Sequence, residues 1–212
     1  MSSEIIDQVT VTDVPRSWRP DSKVSACFLG LYRNILVQSA SAEPPHVLGV
    51  TSLRRGEGVT TVAGRLALAA AHDGDQKVLL VDANPMVLAV DPTIAKDLAD
   101  QSANESQSLD QALRPSPLEN LLMLPLAAAF PGPPSLDGQR RAQELLRDLA
   151  FEFSFIVVDL PPLDELGAEV DALAIDGMLV VITAACTRRS LAHAARKLTS
   201  YSRLLGAVLN LR

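Results

Sequence analysis

The chain has 212 residues, 48% of them hydrophobic and 21% charged, with a formal net charge of −6. That balance supports one α/β domain with a full core, excludes a disordered chain, and disfavours non-specific binding to nucleic acid. The two cysteines, Cys27 and Cys186, lie far apart among apolar neighbours and read as reduced core thiols of a cytosolic protein, not as a disulfide or metal pair.

Residues 1–20, punctuated by Pro15 and Pro20, read as a flexible leader ahead of a single domain at 21–212. No basic region leads into an apolar core, so no signal peptide is expected. Asp21 or Ser22 is placed to cap a helix running to about Ser39, with Val24, Phe28, Leu31 and Ile35 on one face. That stripe is either a packing face on its own domain or a docking surface for a partner. A rhythm then begins: "HVLGVTSL" as a strand, "TTVAGRLALAAAHDG" as a helix ending at Gly74, and "KVLLVDAN" as a second strand. Residues 88–120 mix helix-forming and polar pieces. "NLLMLPL" is a third strand, "AAAFPGPPSLDG" a proline-rich loop and "QRRAQELLRDLAFEF" an amphipathic helix. "SFIVVDLPP" is a fourth strand, "ELGAEVDALAIDG" helical and "MLVVITAA" a fifth strand. "RRSLAHAARKLTSYSRL" is a helix and "GAVLNL" the last strand. Apolar strands alternating with helices predict a doubly wound, mainly parallel sheet with helices on both faces. No stretch approaches the ~20 apolar residues that span a bilayer. His46, His72 and His193 are scattered, without metal-ligand spacing, and read as surface or packing histidines.

In such sheets ligands bind at the carboxyl ends of the strands, and four features fall there. The first is the loop "SLRRGEGVTT" between the first strand and its helix, the setting of a phosphate-binding loop. Gly56 and Gly58 allow backbone N–H groups to converge on phosphate, helped by the N-terminus of the helix that follows. Thr60 stands where a hydroxyl ligand for Mg2+ is expected. The others are Asp82 ending "VLLVD", Asp159 ending "FIVVD" and Asn210 ending "GAVLN". A strand-terminal aspartate can hold Mg2+, directly or through water, or take a proton from a nucleophile.

In this order, the glycine loop, "VLLVDAN", "VVDLPP" and "VLN" resemble the cytoplasmic domain of bacterial tyrosine kinases of the capsule and exopolysaccharide type, within the MinD/ParA superfamily of P-loop ATPases. The resemblance runs from about Ser22 to Leu211. It implies ATP or ADP with Mg2+ as cofactor, phosphoryl transfer to tyrosine, and work beside a transmembrane co-polymerase that sets polysaccharide chain length. It also implies a cytoplasmic protein recruited to the inner membrane by that partner, and a possible homo-oligomer. The cofactor set it implies is Arg54, Arg55, Gly56, Glu57, Gly58, Val59, Thr60, Thr61 and Asn210. Asp82 and Asp159 are the residual catalytic acids, and Thr60, Asp82 and Asp159 the metal set.

The departures from the family pattern subtract from one activity. Val59 stands where the phosphate-binding lysine belongs, and Asn84 where the second acid of Asp-x-Asp belongs. Ala26, Leu29 and Tyr32 occupy the positions of a Glu-x-x-Arg-x-x-Arg assembly motif. Tyr32 and Tyr201 are the only tyrosines, so no tyrosine-rich tail is expected. A phosphate lysine supplies charge-assisted contacts of roughly 1.5–3 kcal/mol and stabilises the charge in transfer. The leading expectation is therefore a catalytically impaired regulatory or binding partner in polysaccharide synthesis and export. Two alternatives stay open: a divergent tyrosine kinase or ATPase using Arg54 or Arg55 in place of lysine, and a MinD/ParA-type positioning ATPase.

Overall fold

The computed structural model describes residues 22–38, 46–83, 112–116, 118–126, 136–166, 174–200 and 202–211. The elements in chain order are α1 (Ser22–Gln38), β1 (Val47–Ser52), α2 (Val59–His72), β2 (Val78–Asp82), β3 (Arg114–Pro115) and β4 (Leu121–Pro125). They continue with α3 (Leu136–Glu152), β5 (Phe155–Asp159), β6 (Gly177–Thr183), α4 (Arg188–Leu198) and β7 (Arg203–Asn210). The fold is a mixed α/β architecture on one mainly parallel sheet, with strand order β3-β4-β2-β5-β1-β6-β7.

The central strands are continuous apolar runs because both of their faces are covered. Every described residue of β1 and β5 is buried. Alternation along the strands sends side chains into two cores. On one face Tyr32 and Ile35 of α1 and Val62, Ala63, Leu66 and Ala70 of α2 pack on Leu48, Val50, Leu80 and Val157. On the other, Leu146 and Leu149 of α3 and Ala194 and Leu198 of α4 pack on Val47, Leu79, Ile156 and Met178. The chain thus leaves β1 over one face through α2 and returns to β5 over the other through α3. All the strand ends that carry polar residues meet at one edge of the sheet. There Val50 pairs in register with Asp159, Asp82 with Asp159, and Thr183 with Asn210.

Of the α1 stripe, Phe28, Leu31 and Ile35 pack on their own domain, and the side chain of Val24 lies outside those described. Ile35 is buried and Phe28 and Leu31 lie against the same core. The centre of that face is Tyr32, 2% exposed, whose ring meets Phe155 edge-on at 5.3 Å. Tyr32 also accepts a hydrogen bond from Gln76.

Several boundaries differ from the sequence reading. α2 ends at His72, where Asp73 caps it by donating its N–H to Ala69 and Ala70, two residues before Gly74. α3 starts at Leu136, inside the expected loop. α4 ends at Leu198 and β7 begins at Arg203, because pairing of Arg203 with Gly177 extends the strand. A two-residue antiparallel edge strand, β3, had no periodic signal. The helix expected from "ELGAEVDALAIDG" is not found at its described flanks: Glu165 lies in a turn, and Ala174 has φ 46°. The cysteines are free, but they are not core thiols. Cys27 is exposed on the side of α1 away from the core, and Cys186 is half-buried in the loop after β6. The leader at 1–20, Asn84, Tyr201 and the 88–111 segment lie outside the described residues. Among the described residues, no helix is long and apolar enough to cross a membrane.

Candidate functional site

The loop between β1 and α2 folds around two residues of positive φ, Gly56 at 79° and Gly58 at 96°. Gly58 is the residue before the helix, and no side chain caps it there. The first-turn N–H groups of α2 therefore point out of the loop, as an anion site requires. Four hydrogen bonds hold the loop in shape. Leu53 and Arg54 donate their N–H groups to the Glu57 carboxylate, each at 3.0 Å. Ser52 donates its hydroxyl to the Arg54 carbonyl at 2.7 Å. Asn210 donates its side-chain amide to the Glu57 carbonyl at 2.9 Å. Glu57 and Asn210 thus act on the loop's own backbone.

Val59 follows Gly58 and turns inward. It is 9% exposed and belongs to the apolar core under α2. Arg55 forms a two-point ion pair with Glu165 of the loop after β5. Arg54 is exposed and faces a neighbouring cavity of about 450 Å³.

The acidic side lies one strand over. Asp159 is 2% exposed, and its Oδ1 is buried without a hydrogen-bond partner. Burial pushes its pKa up to about 7, a hydrogen bond from Thr60 opposes the rise, and nearby Asp82 adds to it. The peptide after the strand is fixed, since Leu160 donates to Val50 and Leu163 to Ser52. Thr51 reaches Pro161 from β1, and Lys197 reaches Leu163 from α4. A buried, unpartnered carboxylate oxygen beside an exposed threonine hydroxyl is a donor set that suits hydrated Mg2+. Among the described residues no group of three or more His, Cys, Asp or Glu side chains is arranged to hold a metal. A Mg2+ ion on Thr60, Asp82 and Asp159 would therefore draw further oxygens from water and phosphate.

The fold thus brings Gly56, Glu57, Gly58, Thr60, Asp82, Asp159 and Asn210 to one edge, while Val59 and Arg55 are committed elsewhere and Thr61 is half-buried on α2. The sequence reading missed Glu165, whose pairing with Arg55 spans 110 residues and has no local signal. It also missed Arg189, His193 and Arg196, which share a cavity with Arg54. Their i, i+4, i+7 spacing is a helix-face pattern that could have revealed them.

No family model matches the chain. Among curated proteins it is 28% identical to the tyrosine-protein kinase CpsD of Streptococcus pneumoniae over 180 residues, 80% of this chain and 78% of that one. It is 26% identical to the putative tyrosine-protein kinase CapB of Staphylococcus aureus, covering 91% and 86%. Among solved structures, the kinase domain of the Escherichia coli tyrosine kinase ETK superposes with a TM-score of 0.69 at 16% identity, covering 98% of this chain and 84% of that one. The chimeric protein CapA2B2 gives 0.68 at 22% identity, covering 91% and 86%. The septum site-determining protein MinD of Pyrococcus horikoshii, solved with Mg-ADP, gives 0.53 at 23% identity, covering 78% and 70%. The homologues of this chain are bacterial tyrosine kinases, and its structural neighbours are bacterial tyrosine kinase domains and MinD-type P-loop ATPases.

Proposed function

We propose that this protein is a catalytically impaired relative of the bacterial tyrosine kinases, acting as a regulatory or binding partner in exopolysaccharide or capsule synthesis and export. The observation that carries the reading is Val59, buried in the core at the position where a cation must meet the β- and γ-phosphates. Neither neighbouring guanidinium replaces it: Arg55 is held by Glu165, and Arg54 faces another cavity. Phosphoryl transfer depends almost wholly on positioned charge, so a loop without its lysine loses most of its rate.

Mg2+-ATP, when bound, would supply the transferable γ-phosphoryl group and its counter-ion, and Mg2+-ADP would be what remains after transfer. The chain's own part is to present the first-turn amides of α2 and to offer Thr60, Asp82 and Asp159 to the metal. The partner is a transmembrane co-polymerase or chain-length regulator, which recruits the chain to the inner membrane. The CapA2B2 chimera, a structural neighbour, supports looking for such a partner. Incubation with radiolabelled ATP and a tyrosine-containing peptide tests the reading. Labelling at background level is expected; robust transfer abolished by Asp82→Ala would overturn it.

A second reading has one observation in its favour. The acidic half of the site survives, with Asp159 buried, unpartnered at Oδ1 and bonded to Thr60. On that reading the chain is a divergent kinase or ATPase with Arg54 reaching the phosphates. It requires saturable Mg2+-ATP binding that Arg54→Ala abolishes.

A further inference from the structure

The cavity beside the loop has its own chemistry. Its walls come from the loop after β1, the turn after β5, the turn after β6, and α4. Arg54 comes from the loop after β1, and Arg189, His193 and Arg196 come from α4. The last three fall at i, i+4 and i+7 on α4, so they line one face of that helix. The same cavity also contains two carboxylates, Glu57 and Asp164. Glu57 is already occupied by the N–H groups of Leu53 and Arg54. The ion pairs Arg33–Asp73 and Arg55–Glu165 lie outside this group, and among the described residues Arg54, Arg189 and Arg196 face the cavity without a carboxylate partner.

Three guanidiniums against two carboxylates leave the cavity positive on a chain whose net charge is −6. Like charges gathered around a concave surface repel one another and draw in a counter-ion. Guanidinium forks match the oxygens of phosphate with paired N–H donors. About 450 Å³ is room for a small organic phosphate and too little for a folded partner. Leu53 and Ala185 supply apolar wall for the rest of such a ligand.

We propose that this cavity is a second anion site, which binds the phosphate group of a phosphorylated small molecule through Arg54, Arg189 and Arg196. The glycine loop supplies Leu53, Arg54 and Glu57 to its wall, while Arg189 and Arg196 come from α4. The site needs neither Mg2+ nor the first-turn amides of α2, and it stands whether or not the loop binds nucleotide.

Cys186 lies on the cavity wall and Cys27 on the exposed side of α1, so the chain carries a reporter and an internal control. The test is the rate of iodoacetamide labelling of each cysteine, read by peptide mass mapping on the full chain in Mg2+-free buffer. Inorganic pyrophosphate should slow labelling of Cys186 about tenfold at saturation and leave Cys27 unchanged. Calorimetric titration should show the same affinity. Arg189→Gln and Arg196→Gln, both at exposed positions, should each weaken it about tenfold, the size of one charge-assisted contact. Glucose 1-phosphate and uridine monophosphate form two further arms; whichever protects at lower concentration identifies the organic part as sugar or nucleoside. No protection of Cys186 at millimolar pyrophosphate would overturn the proposal. So would equal protection of Cys27, or protection unchanged in both arginine variants. A failed kinase assay bears only on the loop, because this measurement contains neither Mg2+ nor ATP.

Discussion

The side-chain amide of Asn210 donates to the backbone carbonyl of Glu57 at 2.9 Å, joining the end of the last strand to the first loop across 153 residues. That bond holds the glycine loop from the β7 side, while the Glu57 carboxylate holds it from within. A β-carbon at Gly58 would lie 2.4 Å from the same Asn210 nitrogen, and Gly58 sits at φ 96°. Geometry and sterics therefore both demand glycine there.

Gly58→Ala should destabilise the fold by about 2–3 kcal/mol, combining left-handed strain with loss of the Asn210 bond. Urea unfolding measures it. Asn210→Ala alone should cost about 1 kcal/mol. In the double variant the clash is gone, so the total should fall short of the sum of the two single losses. Strict additivity would mean that the two residues do not meet.

Asp159 makes stability depend on pH in an unusual direction. Its folded pKa, pushed up to about 7, lies above the ordinary 3.8, so the native state holds the proton more tightly than the unfolded chain. Its contribution is fully present in acid and is lost as pH rises from about 4 through 7. Asp159→Asn should therefore gain stability relative to the parent as pH climbs over that window. The gap between the two values caps the gain at about 4 kcal/mol. Melting temperatures at pH 5 and pH 8 check this. A parallel shift at both would refute it.

On the proposed reading, Val59→Lys places a cation at the phosphate position and should raise Mg2+-ATP affinity at least about tenfold, one charge-assisted contact. The variant should also lose some stability, since an apolar side chain leaves the core under α2. Calorimetry reads the first effect and thermal melting the second. Unchanged affinity would count against Val59 as the residue that limits nucleotide binding.

Tyr32 anchors α1 through its ring. Tyr32→Ala should cost about 3–5 kcal/mol, as for a buried aromatic, whereas Tyr32→Phe keeps the edge contact with Phe155 and loses only the Gln76 bond, about 1 kcal/mol. Chemical denaturation separates the two. Similar losses would place the value of Tyr32 in its hydroxyl.

Much of the fold is legible in the sequence, because its signals are local. Runs such as "VLLVD" and "FIVVD" announce buried parallel strands, glycines between strand and helix announce the loop, and the order of motifs carries the likeness to bacterial tyrosine kinases. Helix ends were less legible, since Leu136 and Leu198 mark boundaries set by packing and strand pairing. The short β3 had nothing to mark it.

The sequence alone determined which charges are present: none at Val59 or Asn84, and two adjacent arginines, Arg54 and Arg55, in the loop. Only the tertiary structure decided what those charges face. It pairs Arg55 with Glu165 and brings Arg54 into one cavity with Arg189 and Arg196. It also buries Asp159 with one oxygen unpartnered, and places Tyr32 at the centre of a core face. The physical reason is range. Periodicity along the chain encodes which face of an element is apolar, but the partner of a charge is whichever group the sheet order brings within a few ångströms. Here the loop after β1 meets residues more than a hundred positions downstream.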